Sequence, residues 1–142
     1  MRKLSTLTLG LILLASAAYA AEPHVISGPS RVLDGDTVVV GETHVRLKGV
    51  DAAERGTELG EFAREIMIEI VNGSDLTCQL TGEKTHKRDV GYCFTTEGVD
   101  INRAIIEQGV ALACPRFDRW YLPYEQASAL EALPRSSYCI KR

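Results

Sequence analysis

From Leu59 to Val71 the apolar residues Leu59, Phe62, Ala63, Ile66, Ile70 and Val71 recur at three- and four-residue steps, whereas the flanking segments read as strands. This one helical stripe inside a β pattern restricts the fold more than any other feature, because the stripe has to be buried against a sheet. The helix is expected from about Thr57, and Asn72-Gly73 stops it, since glycine accepts the left-handed conformation of a helix end. Ahead of it, Val25–Leu33, Thr37–Val40 and His44–Val50 have the β-branched density and alternation of strands, with Val45 and Leu47 on one face and Arg46 and Lys48 on the other. Behind it, Leu76–Leu80 and Val90–Thr95 read as two more strands. A second helix is expected over Ile101–Gln108, ended by Gly109, and a third over Tyr124–Leu133, stopped by Pro134.

Three strands, a helix and two strands is the order of a five-stranded Greek-key barrel of the OB type, with the helix plugging one end and two further helices towards the C-terminus. A small mixed α+β sandwich satisfies the same order.

Residues 1–20 read as a leader rather than as part of that fold. Arg2 and Lys3 precede the apolar run Leu4–Leu14, and Ala18-Tyr19-Ala20 supplies the small residues of a signal-peptidase site. The run is too short for a membrane span, which needs about 20 apolar residues. The expectation is a signal peptide over 1–20, one domain over 21–142, and a secreted or periplasmic monomer with no membrane attachment after cleavage. Losing the leader removes Arg2 and Lys3 and no acid, which takes the formal net charge from −3 to −5. Non-specific attraction to nucleic acid by a basic surface is thereby excluded, and any such binding must come from a local patch.

Cys78, Cys93, Cys114 and Cys139 are even in number and contain no C-x-x-C pair. In an exported chain they read as two disulfides, with three connectivities open. A zinc site with His86 fits poorly, because the spacings are too wide.

The chemistry concentrates in three pieces. Asp34-Gly35-Asp36-Thr37 puts two carboxylates on one side of an extended chain. Arg46 lies mid-strand, and Asp51, Ala52 and Glu54 lie just past that strand's end. Arg88 stands where a later strand begins. Carboxylates suit a hard divalent cation, an arginine fork holds the equatorial oxygens of a phosphodiester, and a further carboxylate can orient or deprotonate water. Taken singly, each has an ordinary structural explanation. Asp-Gly-Asp is usually a turn, and Val38 stands where a calcium loop of the EF-hand type needs an oxygen ligand.

Taken together, Asp34-Gly35-Asp36-Thr37, Arg46-Leu47, Val50-Asp51-Ala52-Ala53-Glu54, Arg88 before Val90-Gly91, Ile101-Asn102 and Gly109-Val110-Ala111 resemble the staphylococcal nuclease (thermonuclease) family, in the family's order from about Val32 to Ala111. The resemblance implies an OB-fold. It implies calcium held by Asp36, Asp51 and the backbone carbonyl of Ala52, with Arg46 and Arg88 clamping the scissile phosphate. Glu54 is then the group acting on water, and Asp34 and Thr37 are supporting positions. The implied activity is calcium-dependent hydrolysis of DNA or RNA to 3′-phosphorylated products.

The chain also departs from the family pattern. Ala52-Ala53 replaces a small or hydroxyl residue followed by proline. Thr85 and His86 stand where the best-known member has lysine and tyrosine, so that Lys84, His86 and Lys87 are the expected phosphate contacts. Pro115 stands near a base-stacking position, with Phe117 close by as a substitute. The best-known member has no cysteines. Here Cys78 and Cys93 fall in two strands that should pair, and Cys114 with Cys139 then ties down the C-terminal segment. Two other functions fit the same features: a non-catalytic OB module binding an oligonucleotide or oligosaccharide, and an accessory protein of an exopolysaccharide (succinoglycan) pathway, a context from which some similar exported proteins take their names.

Overall fold

The structure is a computed structural model that describes residues 24–140; the expected signal peptide lies outside them. The strands are β1 (His24–Gly28), β2 (Ser30–Asp34), β3 (Thr37–Val40), β4 (Thr43–Leu47), β5 (Val50–Ala52), β6 (Leu76–Thr85), β7 (Arg88–Thr95) and β8 (Ala111–Ala113). The helices are α1 (Glu58–Val71), α2 (Ile101–Glu107), α3 (Ala127–Ala132) and α4 (Ser137–Ile140), with a 3-10 turn over Leu122–Tyr124.

Six strands form one sheet in the order β1-β6-β7-β4-β3-β2. β1 and β2 are consecutive in the chain yet sit at the two ends of that order, so the sheet rolls up and the bent first strand closes it. Counted as one strand, β1 and β2 reduce the six to the five of an OB barrel. The expected Val25–Leu33 strand is therefore two, because Gly28-Pro29 breaks the ladder: proline has no N–H to donate. β4 and β7 run parallel, with Arg46 opposite Val90, while β3 and β4 pair antiparallel with Thr37 opposite Arg46. Those two registers set Thr37, Arg46 and the start of β7 side by side.

The core contains Val38, Val45, Leu47, Leu76 and Ile105, with Ala63, Met67 and Val71 brought in from α1. Thr57 caps α1, its hydroxyl accepting from the Gly60 N–H, and Asn72 ends it in the left-handed conformation. Gly60 has no side chain because the helix lies directly on the preceding loop: a Cβ there would come 2.0 Å from the Glu54 carbonyl oxygen.

Three further expectations are corrected. The third strand stops at Leu47, since the chain turns at Gly49 (φ 75°) before β5. The strand pair after α1 is longer than expected and runs through polar residues to Thr85 and from Arg88. The Tyr124–Leu133 helix is a 3-10 turn and the short α3, with Glu125 extended between them (ψ 137°). Glu125 is pulled back because its carboxylate accepts the Ala113 N–H at 2.8 Å and pairs with Arg135 at 2.8 Å. Both disulfides are formed as paired above, Cys78–Cys93 across β6 and β7 and Cys114–Cys139 onto α4. No helix of the described residues is long and apolar enough to cross a membrane.

Candidate active site

The Asp34–Thr37 turn is packed, not solvated. A Cβ on Gly35 would come 2.8 Å from the Ala63 Cβ and 2.9 Å from the Ala52 Cβ, so glycine lets the turn sit between α1 and β5. Within the turn, the Asp36 N–H donates to Asp34 Oδ1 at 3.1 Å, and the Thr37 hydroxyl donates to Asp36 Oδ1 at 3.0 Å.

Asp36 is thereby held half-buried beside a second carboxylate. Its carboxyl is raised to about 7, chiefly by burial, with the Arg46 guanidinium opposing the rise and the Asp34 charge adding to it. Arg46 approaches Asp36 Oδ2 at 3.0 Å, and its two terminal nitrogens donate to the Leu47 and Val50 carbonyls at 2.8 Å each. The guanidinium is fixed from three directions before any ligand arrives, with part of its donor fork uncommitted among the described residues. Arg88 joins through Thr37, donating from Nη1 to the hydroxyl at 2.9 Å. Asp36, Thr37, Arg46 and Arg88 thus form one hydrogen-bonded, ion-paired group.

Asp36, Arg46 and Arg88 line a cleft of about 680 Å³ that also includes Asp34, Ala52, Glu54, Lys84, His86, Phe117 and Tyr138, with Thr37 buried behind them. Glu54 is exposed there. Its carbonyl, rather than its carboxylate, is engaged, accepting from the Thr57 hydroxyl at 2.7 Å. The β6–β7 hairpin reaches the cleft with a two-residue tip, His86 (φ 46°) and Lys87 (φ 66°), both left-handed without being glycine. His86 lines the cleft, Lys84 also pairs with Asp89 at 2.9 Å, and Lys87 is not on the cleft wall.

Asp51 is placed differently from Asp36. It is buried behind the wall, where Oδ2 accepts the Ser136 N–H at 2.7 Å and Oδ1 accepts the Ser136 hydroxyl at 2.6 Å. Among the described residues no three His, Cys, Asp or Glu side chains converge as a ready-made metal cluster. A hard cation would therefore rest on few carboxylates, completed by backbone carbonyl and water. The donor chemistry fits such an ion. The ligands are oxygen only, and the one arginine paired with Asp36 leaves the half-buried Asp34–Asp36 pair short of positive charge.

Two positioning groups carry no chemical signature of their own. Asn102 is fully buried; its Oδ1 accepts the Cys93 N–H, and its Nδ2 donates to the Lys48 and Gly91 carbonyls, tying α2 to the strands behind Arg46. Its signal in the sequence is the Ile101-Asn102 pair at the helix start. Ser136 lies 85 positions from Asp51, and nothing in the sequence links the two.

Residues 44–136 match the family described as staphylococcal nuclease homologue. The chain is 36% identical over 123 residues to the "Succinoglycan biosynthesis protein ExoI" of Rhizobium meliloti (strain 1021), covering 76% of this chain and 63% of that protein. It is 28% identical over 85 residues to an "Uncharacterized endonuclease" of Escherichia coli, covering 57% and 56%. A "Probable staphylococcal-like nuclease CAN1" of Oryza sativa subsp. japonica is 27% identical over 109 residues, covering 75% and 30%. The chain spans less than two thirds of the length of each of these curated relatives.

Proposed function

Because the chain belongs to the staphylococcal nuclease homologue family, we propose that it is an exported, calcium-dependent nuclease that hydrolyses DNA or RNA to 3′-phosphorylated products. The observation that carries this reading is that Asp36, Arg46 and Arg88, joined through the buried Thr37, stand on the wall of a cleft that also presents Glu54.

A phosphodiester in the cleft presents two non-bridging oxygens, and attack by water adds negative charge to them. Arg46 and Arg88 supply planar donor forks that stay charged at physiological pH, and both are braced before substrate arrives. Such preorganised donors stabilise the charge of the transition state more than that of the ground state. Glu54 orients the attacking water or takes its proton, the P–O5′ bond breaks with the phosphate kept on the 3′ side, and the leaving 5′-oxygen takes a proton from solvent to become a hydroxyl. Asp36, Asp51 and the Ala52 carbonyl would hold calcium, which when bound supplies further positive charge to the phosphoryl oxygens. Asp34 and Thr37 support the turn. His86 and Lys84 at the hairpin, with the nearby Lys87, are proposed to meet flanking phosphates.

Purified protein incubated with plasmid DNA and with RNA, in calcium and in chelator, tests the proposal. Cleavage that chelator abolishes supports it, and a folded protein that cuts neither polymer in calcium sinks it. The resemblance to the succinoglycan biosynthesis relative favours a second reading, in which the protein serves an exopolysaccharide pathway. Unchanged polymer production in a deletion strain would count against that role.

A further inference from the structure

We propose that Tyr138 is a specificity-determining residue of this cleft, its ring forming with Phe117 an aromatic wall on which an unpaired base of the substrate strand stacks. The proposal rests on the nuclease reading, in which Arg46 and Arg88 meet the phosphate, and it places no cation.

A folded chain normally covers its large rings, yet Phe117 and Tyr138 are 48% and 40% exposed. Both line the same cleft as Arg46 and Arg88. Apolar rings left open inside a charged cleft mark a surface kept for a ligand. Beside a phosphate site the matching ligand is a nucleobase. Its π-face stacks on an aromatic ring whatever the sequence, once the base is free of a duplex. The hydroxyl of Tyr138 lies 3.5 Å from Oδ1 of the buried Asp51, a long contact that binds little. The ring is therefore the group this residue contributes.

The two rings sit on segments fastened to each other. Cys139, next to Tyr138, is bonded to Cys114, whose carbonyl accepts the Phe117 N–H at 3.0 Å. Arg116 bridges the same segments, donating its N–H to the Cys139 carbonyl at 3.2 Å and Nη1 to the Tyr138 carbonyl at 3.4 Å. Its guanidinium lies over the Phe117 ring, 5.4 Å from the centroid. Stacking surfaces held before the ligand arrives lose less freedom on binding. Tyr138 lies on α4, beyond the residues 44–136 that match the family. The disulfide thus holds at the cleft a ring which that match does not include.

Steady-state cleavage of a short single-stranded oligonucleotide, DNA or RNA as wild type cuts it, tests this by comparing wild type with Tyr138→Ala and Tyr138→Phe. Each protein is also given the same strand with abasic residues on both sides of the scissile phosphate. Loss of one base stack should raise KM for the normal strand by roughly 5–150-fold in Tyr138→Ala, with kcat changed much less. Tyr138→Phe keeps the ring and should match wild type. On the abasic strand wild type and Tyr138→Ala should have the same KM, because the ring then has no base to hold. Equal KM for wild type and Tyr138→Ala on the normal strand overturns the stack and leaves the nuclease reading standing. So does an equal rise on both strands, which is what a loosened C-terminal segment would give. A wild type that cleaves neither polymer overturns the nuclease reading and this inference with it.

Discussion

Arg88 donates through Nη1 to the hydroxyl of Thr37 at 2.9 Å, and the same hydroxyl donates to Asp36 at 3.0 Å. One buried threonine, 51 positions from Arg88, thus links an arginine at the start of β7 to a carboxylate in the turn before β3. Replacing it with valine keeps the shape and removes both bonds. Thr37→Val is expected to lower nuclease turnover by about 10–100-fold as Arg88 loses its brace, whereas Thr37→Ser retains most activity. Steady-state rates on a DNA substrate check this, and equal rates for Thr37→Val and wild type would remove Thr37 from the account.

Gly60 holds Glu54 in place by lacking a side chain. A methyl at Gly60 would press to 2.0 Å on the Glu54 carbonyl oxygen, so either the helix or the loop must move. Alanine is the better helix former by about 1 kcal/mol, but the clash is with backbone and should outweigh that gain. Gly60→Ala is expected to cost about 1–3 kcal/mol in a urea melt and to lower activity as Glu54 shifts. A more stable, fully active variant would show that the approach is looser than described.

Asn102 satisfies three buried backbone groups from inside the barrel. Asn102→Ala strands the Cys93 N–H and leaves the Lys48 and Gly91 carbonyls short of a donor, at a cost of about 2–4 kcal/mol. Chemical denaturation measures it directly. A loss below about 0.5 kcal/mol, the range of ordinary surface changes, would mean that water replaces the amide.

The strongest local signals of the sequence were realised in the fold. The α1 stripe, the expected start near Thr57 and the Asn72-Gly73 stop agree, and the helix forms there. The valine run makes β3, the Val45–Leu47 alternation makes β4, and the cysteines of β6 and β7 meet directly opposite each other. The failures lie where tertiary contacts override weak local preferences. Ala111–Ala113 has no strand signature and becomes a strand because β5 needs a partner. Thr81–Thr85 is exposed hairpin with no buried face to impose alternation. Tyr124–Leu133 looks helical until Glu125 is claimed by Ala113 and Arg135. For the candidate site, the identities of the acids and arginines could be read along the chain. That Asp36 pairs with Arg46 while Asp51 turns to Ser136 could not, since both partners are set by register and by a distant disulfide.

Asp36 gives the protein a pH dependence of definite sign. Its carboxyl has an ordinary value of 3.8 and is held at about 7 in the fold, chiefly by burial. The native state therefore binds a proton more tightly than the unfolded chain. The stability this contributes is fully present below pH 3.8 and is lost as pH rises through about 7. In chelator, wild type should lose stability relative to Asp36→Asn between about pH 4 and 7, and calcium should reduce that loss at the upper end. Urea melts at several pH values decide it, and parallel curves for the two proteins would contradict the assignment.

The central claim is that Arg46, Arg88 and Glu54 act on one phosphodiester in this cleft. Its most direct test is single-turnover cleavage of a defined DNA strand by wild type, Arg46→Ala, Arg88→Ala and Glu54→Gln, each with calcium and with chelator. The predicted result is calcium-dependent cleavage by wild type, and a loss of at least about a hundredfold in every variant with the fold intact. Equal cleavage by all four proteins would contradict the claim and place the activity elsewhere.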